Sequence, residues 1–143
     1  ELTGKPYSSS MPQYVYVAPA VMLALRWPMD ELDERIAQRT RLMFDQGLVE
    51  ETRELDRLGL RHTKTAAKAT GYAQALAVID GEMTIPEAID SVALATRQLA
   101  RRQVKWLRRD PRIVWIDRSG EGARTSAEAA LQTARELVLS ALQ

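Results

Sequence analysis

Cysteine is absent from this 143-residue chain, so disulfides and thiolate metal centres are excluded. Histidine occurs once, at His62, which rules out a histidine-rich metal site. No apolar run approaches the roughly 20 residues a membrane helix needs. Neither a G-x-x-x-x-G-K-[ST] loop nor a G-x-G-x-x-G turn is present, and Gly4-Lys5 runs straight into Pro6. No secretory signal opens the chain, so a cytoplasmic location is expected. Charge of one sign is also missing overall, since 20 Lys and Arg face 19 Asp and Glu for a net of +1. Any basic surface is therefore a local concentration on a nearly neutral molecule, which favours a specific face over general stickiness. Apolar residues at 45% and charged residues at 27% are ordinary for a folded domain with a real core.

One segment departs from that balance. Thr96 to Arg109 packs Arg97, Arg101, Arg102, Lys105, Arg108 and Arg109 with Gln98, Gln103 and Trp106, and it contains no acid. At 3.6 residues per turn, Arg97, Arg101, Lys105 and Arg108 share one stripe of a helix. Like charges at i, i+4 repel. A bound anion relieves that repulsion, and a phosphate backbone suits a rigid row of cations. The bland alternatives are a solvated face or cations that complement the helix dipole near its C-terminus. Trp106 is either a stacking surface or core.

The rest of the pattern predicts a mainly α-helical chain with two or three short strands. Residues 1–13, rich in Gly, Pro and Ser, read as a loop. A strand is expected at about Val21 to Arg26, and another at Ile113 to Ile116. Asp30 is expected to cap a helix to about Gln46, with Leu32, Ile36 and Met43 buried and Gly47 as its left-handed stop. A second helix runs from about Val49 to Leu58 and halts at Gly59. A third spans about Ala66 to Ile79 with Gly71 inside it, at a cost of about 1 kcal/mol relative to alanine. Thr84-Ile85-Pro86-Glu87 is a capping box that opens the basic helix, 84–109. Its core side is expected to be Ile89, Val92, Thr96, Leu99, Ala100, Gln103 and Leu107. A second capping box, Thr125 to Glu128, opens a terminal helix burying Ala127, Ala130, Leu131, Ala134, Leu137, Val138 and Leu142. Two isolated strands do not make a stable sheet, so they are expected to belong to a larger α/β protein. Three divisions follow: 1–13, 14–117 and 118–143.

Chemistry-bearing groups are few. Lys68, Thr70, Gly71 and Tyr72 place a cation, a hydroxyl, a bare backbone and a phenol within two turns. That suits either a phosphate contact or plain helix packing at Gly71. Glu50, Glu51, Glu54 and Asp56 crowd a short helix amid Arg53 and Arg57 and read as a solvated face. No catalytic nucleophile, metal cluster or phosphate loop is evident.

Taken together, several segments resemble the bacterial tRNA dimethylallyltransferases, in their C-terminal half. Gly4-Lys5-Pro6 with Ser8, the run from Leu32 through Arg35-Ile36, Arg39, Met43 and Gly47-Leu48 to Glu50-Glu51 and Leu55, and Gly71-Tyr72 with Gln74 all match family positions. The longest match is Thr96-Arg97-Gln98-Leu99-Ala100-Arg101-Arg102-Gln103, continuing to Trp106-Leu107-Arg108. The resemblance implies an α/β P-loop-type core with a helical insertion, of which residues 1–13 hold the end. It implies transfer of a dimethylallyl group from its diphosphate to the exocyclic amine of the adenine 3′ of the anticodon. The implied phosphate loop and general base lie outside these residues, in an N-terminal half. Mg²⁺, held mainly by that half, and a monomeric enzyme are likewise implied. Lys68 falls where many members carry a pyrophosphate-linked arginine, keeping the charge but not the fork. The implied tRNA contacts are Lys68, Thr70, Gly71, Tyr72, Arg97, Arg101, Arg102, Gln103, Lys105, Trp106 and Arg108. A non-catalytic helical adaptor for RNA is the competing expectation.

Overall fold

The computed structural model describes residues 14–18, 20–118 and 127–141, and for 127–130 and 141 the backbone alone. The element order is β1 (Met22–Arg26), α1 (Met29–Asp45), α2 (Leu48–Arg57), α3 (Tyr72–Ile79), α4 (Ile85–Leu107), β2 (Ile113–Asp117) and α5 (Ala127–Ala141). Two 3₁₀ turns, Leu60–His62 and Ala66–Lys68, link α2 to α3. The described residues form two compact units. One joins the residues up to Arg26 with those from Trp106 onward, and the other is Trp27–Lys105.

In the first unit β1 and β2 pair in parallel, from Met22 opposite Ile113 to Arg26 opposite Asp117. Ala24, Ile113 and Ile116 are buried. Burial at both Ile113 and Ile116, three apart, covers both faces of β2, as parallel strands require. The register ends on an ion pair, with Arg26 Nη2 donating to Asp117 Oδ2 at 2.7 Å. The Arg118 amide then donates to the Arg26 carbonyl at 2.7 Å. Helix α5 packs beside β2 through half-buried Ala134 and Leu137. Leu131 and Val138, expected in the core, are exposed. Only one stripe of this helix has apolar neighbours among the described residues. Ala127, Ala130 and Leu142, the Thr125 capping box and Gly4 to Ser8 lie outside the described positions or side chains.

The second unit is all helical. Phe44, Leu48, Val49, Ala75, Ala88 and Val92 form its core, with Met43, Tyr72, Val78, Ile79, Met83 and Ile89 packed around them. Ala75 and Ala88 have no exposed surface, so the absence of larger side chains brings α3 and α4 close to their neighbours. Buried Thr40 and Thr52 donate to the carbonyls of Ile36 (2.8 Å) and Leu48 (2.6 Å), leaving neither hydroxyl proton unsatisfied.

Helix starts and stops explain most of the chain's turns. Gly47 and Gly59 lie in the left-handed region at φ 97° and 98°, as C′ residues do. The Thr84 box forms as expected: the Thr84 amide donates to Glu87 Oε2 at 2.8 Å, and the Glu87 amide to Thr84 Oγ1 at 3.4 Å. Four expectations fail. Helix α1 begins at Met29 after Pro28, with no side-chain cap from Asp30. Its buried line is Ile36, Thr40 and Phe44, while Leu32 and Met43 are only half-buried, a rotation of the stripe by about one residue. The expected helix 66–79 is broken, because Gly71 sits at φ 105° and ψ −62° before α3. Gly71 therefore caps a helix instead of weakening one. On α4 the core line is Ala88, Val92 and Ala93, and Leu99 and Gln103 are exposed.

Candidate nucleic-acid interface

The helical unit carries most of the basic segment on α4, a 23-residue helix long enough to hold its cations on a fixed rod. Arg101, Arg102, Gln103 and Lys105 are exposed and Arg97 is half-buried. The sequence offers no acid between residues 97 and 109, but α1 supplies one. Arg101 Nη2 donates to Asp33 Oδ2 at 2.7 Å. Arg97 Nε approaches Asp33 Oδ1 at 4.0 Å, and neither of those two atoms has a hydrogen-bond partner. The expected all-cation stripe is thus neutralised by one charge at its N-terminal end. Arg102 and Lys105 have no partner in the chain and remain available to an outside anion.

The stripe does not reach Arg108 as a helical row, because α4 ends at Leu107. Amides of Arg109 and Asp110 close a turn onto the carbonyls of Trp106 and Leu107. Within the sheet-bearing unit, Trp106 is 69% exposed, so it is not core. Arg108 and Arg109 are exposed and unpaired, whereas Arg112 forks onto Asp110 (2.7 and 2.9 Å) and stacks on Tyr16 at 4.7 Å. Arg112 thereby holds the Asp110 carboxyl below its ordinary range.

The Lys68 to Tyr72 segment is a second cluster in the helical unit. Lys68 ends a 3₁₀ turn, is exposed and has no internal partner. Thr70 is exposed, and Gly71 is buried. A Cβ at Gly71 would meet Leu48 Cδ2 at 3.8 Å and Met43 Cε at 3.9 Å, ordinary contacts. Glycine is required there by backbone angle, not by close approach. Its amide donates to Gln74 Oε1 at 3.0 Å, which fixes the start of α3. Tyr72 donates its hydroxyl to Glu51 at 2.6 Å, and that bond raises the phenol pKa. The acidic helix is not simply solvated: besides Glu51, Glu54 pairs with Arg57, and Asp56 with Arg61, which also forks onto Asp80.

Two surfaces thus present cations with at most one acid, while the chain's other arginines are largely tied up. A family model described as IPP transferase matches residues 1–110. The chain belongs to that family. The tRNA dimethylallyltransferase of Pseudarthrobacter chlorophenolicus is 54% identical over 117 residues, which is 82% of this chain and 39% of that protein. The tRNA dimethylallyltransferase of Corynebacterium jeikeium is 49% identical over 132 residues, 90% of this chain and 43% of the relative. The full-length tRNA isopentenylpyrophosphate transferase of Bacillus halodurans superposes with a TM-score of 0.76 at 27% identity, covering 99% of this chain and 41% of that one. A Staphylococcus epidermidis structure (TM-score 0.73, 22% identity, 84% of this chain and 38% of that one) shares the fold. The chain therefore spans about 40% of the length of the transferases it matches.

Among the described residues no three His, Cys, Asp or Glu side chains converge as a metal site would need. The donor set of this family member does not fit Mg²⁺ by itself, and no step below runs through a metal. No described helix is long and apolar enough to cross a membrane.

Proposed function

We propose that this chain is the C-terminal part of a tRNA dimethylallyltransferase and supplies RNA and diphosphate contacts to it. The observation that carries the reading is the pair Arg102 and Lys105, exposed on a rigid helix without an internal partner. Arg97, Arg101 and Gln103 on the same unit, and Trp106 and Arg108 on the other, extend the RNA contacts. Lys68, Thr70, Gly71 and Tyr72 contact the tRNA, and the Lys68 ammonium meets the pyrophosphate. The likeness to the Bacillus halodurans transferase supports β1 and β2 as two strands of a P-loop-type α/β core completed by an N-terminal half.

In the reaction, the exocyclic nitrogen of adenine bonds to the allylic carbon as the carbon–oxygen bond to the diphosphate breaks. The diphosphate leaves with the bonding electrons, and the amine gives its proton to a base outside these residues. These cations hold two polyanions in place: phosphate contacts set position, and stacking on an exposed indole orders bases. The absence of cysteine and of a spanning helix among the described residues supports a cytoplasmic enzyme. Replacing Arg102 and Lys105 together by Gln in the complete enzyme should weaken tRNA binding and lower the salt slope by about 1.5. Unchanged affinity and slope would reject the interface.

A further inference from the structure

A cleft of about 280 Å³ lies within the helical unit between α1, α4 and Thr70. Its floor is apolar, made by Leu32, Ile36, Met43 and Val92. Arg35 and Arg39 line it one helical turn apart, and no carboxylate does. Arg35 is steadied by stacking on Trp27, 4.0 Å from the ring centroid, which leaves its charge intact. Arg39 is exposed and has no partner in the chain, as is Thr70. The remaining polar wall, Thr40 and Thr96, spends its hydroxyl protons on the carbonyls of Ile36 and Val92 at 2.8 Å each. The side-chain donors left for a ligand are therefore two guanidiniums and one hydroxyl.

That arrangement matches an amphiphile with a dianionic or trianionic head and a short branched hydrocarbon tail. An RNA phosphodiester carries one charge and has no use for an apolar floor. The volume sits at the lower end of small-ligand sites. We propose that this cleft is a prenyl diphosphate subsite, with Arg35, Arg39 and Thr70 on the diphosphate and Ile36, Met43 and Val92 against the five-carbon chain. The proposal rests on the transferase reading above, but it assigns diphosphate recognition to α1 arginines beyond Lys68, which does not line the cleft.

The test is calorimetric titration of the complete polypeptide with dimethylallyl diphosphate, inorganic pyrophosphate and tRNA in turn. Arg39→Gln should weaken dimethylallyl diphosphate binding about 10–100-fold, the range for losing a charge-assisted contact, with tRNA affinity held within about twofold. Arg39→Lys should recover part of the loss. Met43→Ala should shrink the preference for dimethylallyl diphosphate over pyrophosphate, since only the prenyl ligand uses the floor. Arg39 is exposed, so its variants keep the fold, and an unchanged thermal midpoint verifies that. If the parent binds the prenyl ligand and Arg39→Gln does not weaken it, the subsite is wrong while the transferase reading stands. If Arg39→Gln weakens tRNA alone, the cleft takes an RNA phosphate and the subsite is again wrong. If the parent binds no prenyl diphosphate, both readings fall.

Discussion

Replacing Gly71 by alanine should destabilise the chain by about 1–3 kcal/mol, and the entire cost should come from the backbone. At φ 105° and ψ −62° the residue lies outside the left-handed helical well, in a region an L side chain rarely enters. The added methyl would find only ordinary contacts at 3.8 and 3.9 Å, so packing contributes neither a clash nor a gain worth counting. Gly47 is the internal control, because φ 97° with ψ 29° is near the well that asparagine tolerates. Gly47→Asn should therefore cost well under 1 kcal/mol, whereas Gly71→Asn should cost as much as Gly71→Ala. For a chain of this size, 2 kcal/mol corresponds to a fall in thermal midpoint of about 4–8 °C. Urea denaturation of the three variants followed by circular dichroism measures the differences directly. If Gly71→Ala and Gly47→Asn proved equally mild, the claim that Gly71 serves by its backbone angle would be refuted. A large loss of prenyl transfer with little loss of stability would instead mean that a ligand approaches the bare backbone.

Asp33→Asn should raise tRNA affinity and steepen the salt dependence by about one unit, because it frees the Arg101 guanidinium from its 2.7 Å partner; weaker binding measured by filter retention across a salt series would show that Asp33 positions Arg101 instead of masking it. The carboxyl of Asp80 is held below its ordinary value chiefly by hydrogen bonds from Arg61. Its folded-state pKa is thus depressed, so the stability it contributes is present above the unfolded value of about 3.9 and is lost as pH falls through the folded one. Asp80→Asn should flatten the acid limb of the stability curve below about pH 4 relative to the parent, with equal slopes in a series of denaturation curves counting against the pairing.

Helix number, most boundaries and the Thr84 capping box were legible because they rest on local rules. Gly47, Gly59 and the Thr84–Glu87 pair each act within one turn of themselves, and α1, α2 and α4 start within a residue or so of where those signals put them. The misreadings lie where tertiary context chose between local options. Ala66 to Ile79 has helix-forming residues throughout, so periodicity alone predicts one helix. Gly71 at positive φ breaks it, and Gln74 accepting from the Gly71 amide holds the break open. The core stripe of α4 shifted toward Ala88 and Ala93 because small residues let helices approach closely, and a search for large apolar side chains passes over them. Leu99 and Gln103, read as core from the same periodicity, face solvent because the hydrophobic core of this unit ends around Val92.

The candidate interface shows the same division between local and distant information. Six cations without an acid are visible in any reading of residues 97–109, yet their effective charge depends on a carboxylate more than sixty positions away. Asp33 meets Arg97 and Arg101, four residues apart on α4, and thereby relieves a like-charge contact that the helix could not relieve itself. Exposed ion pairs of this kind add little stability, so the pairing matters more for the field than for the fold. One negative charge placed at the N-terminal end leaves the positive potential strongest around Arg102 and Lys105. A polyanion approaching the helix is therefore drawn toward that end of the rod, and Arg101 can exchange Asp33 for a phosphate at small net cost. Arg35 and Arg39 escaped notice for the opposite reason. Spaced by four in a helix that also bears Asp30, Glu31, Asp33 and Glu34, they read as members of a mixed-charge face. Only the folded arrangement of α1 against α4 separates the two arginines from those acids and sets them beside an apolar floor.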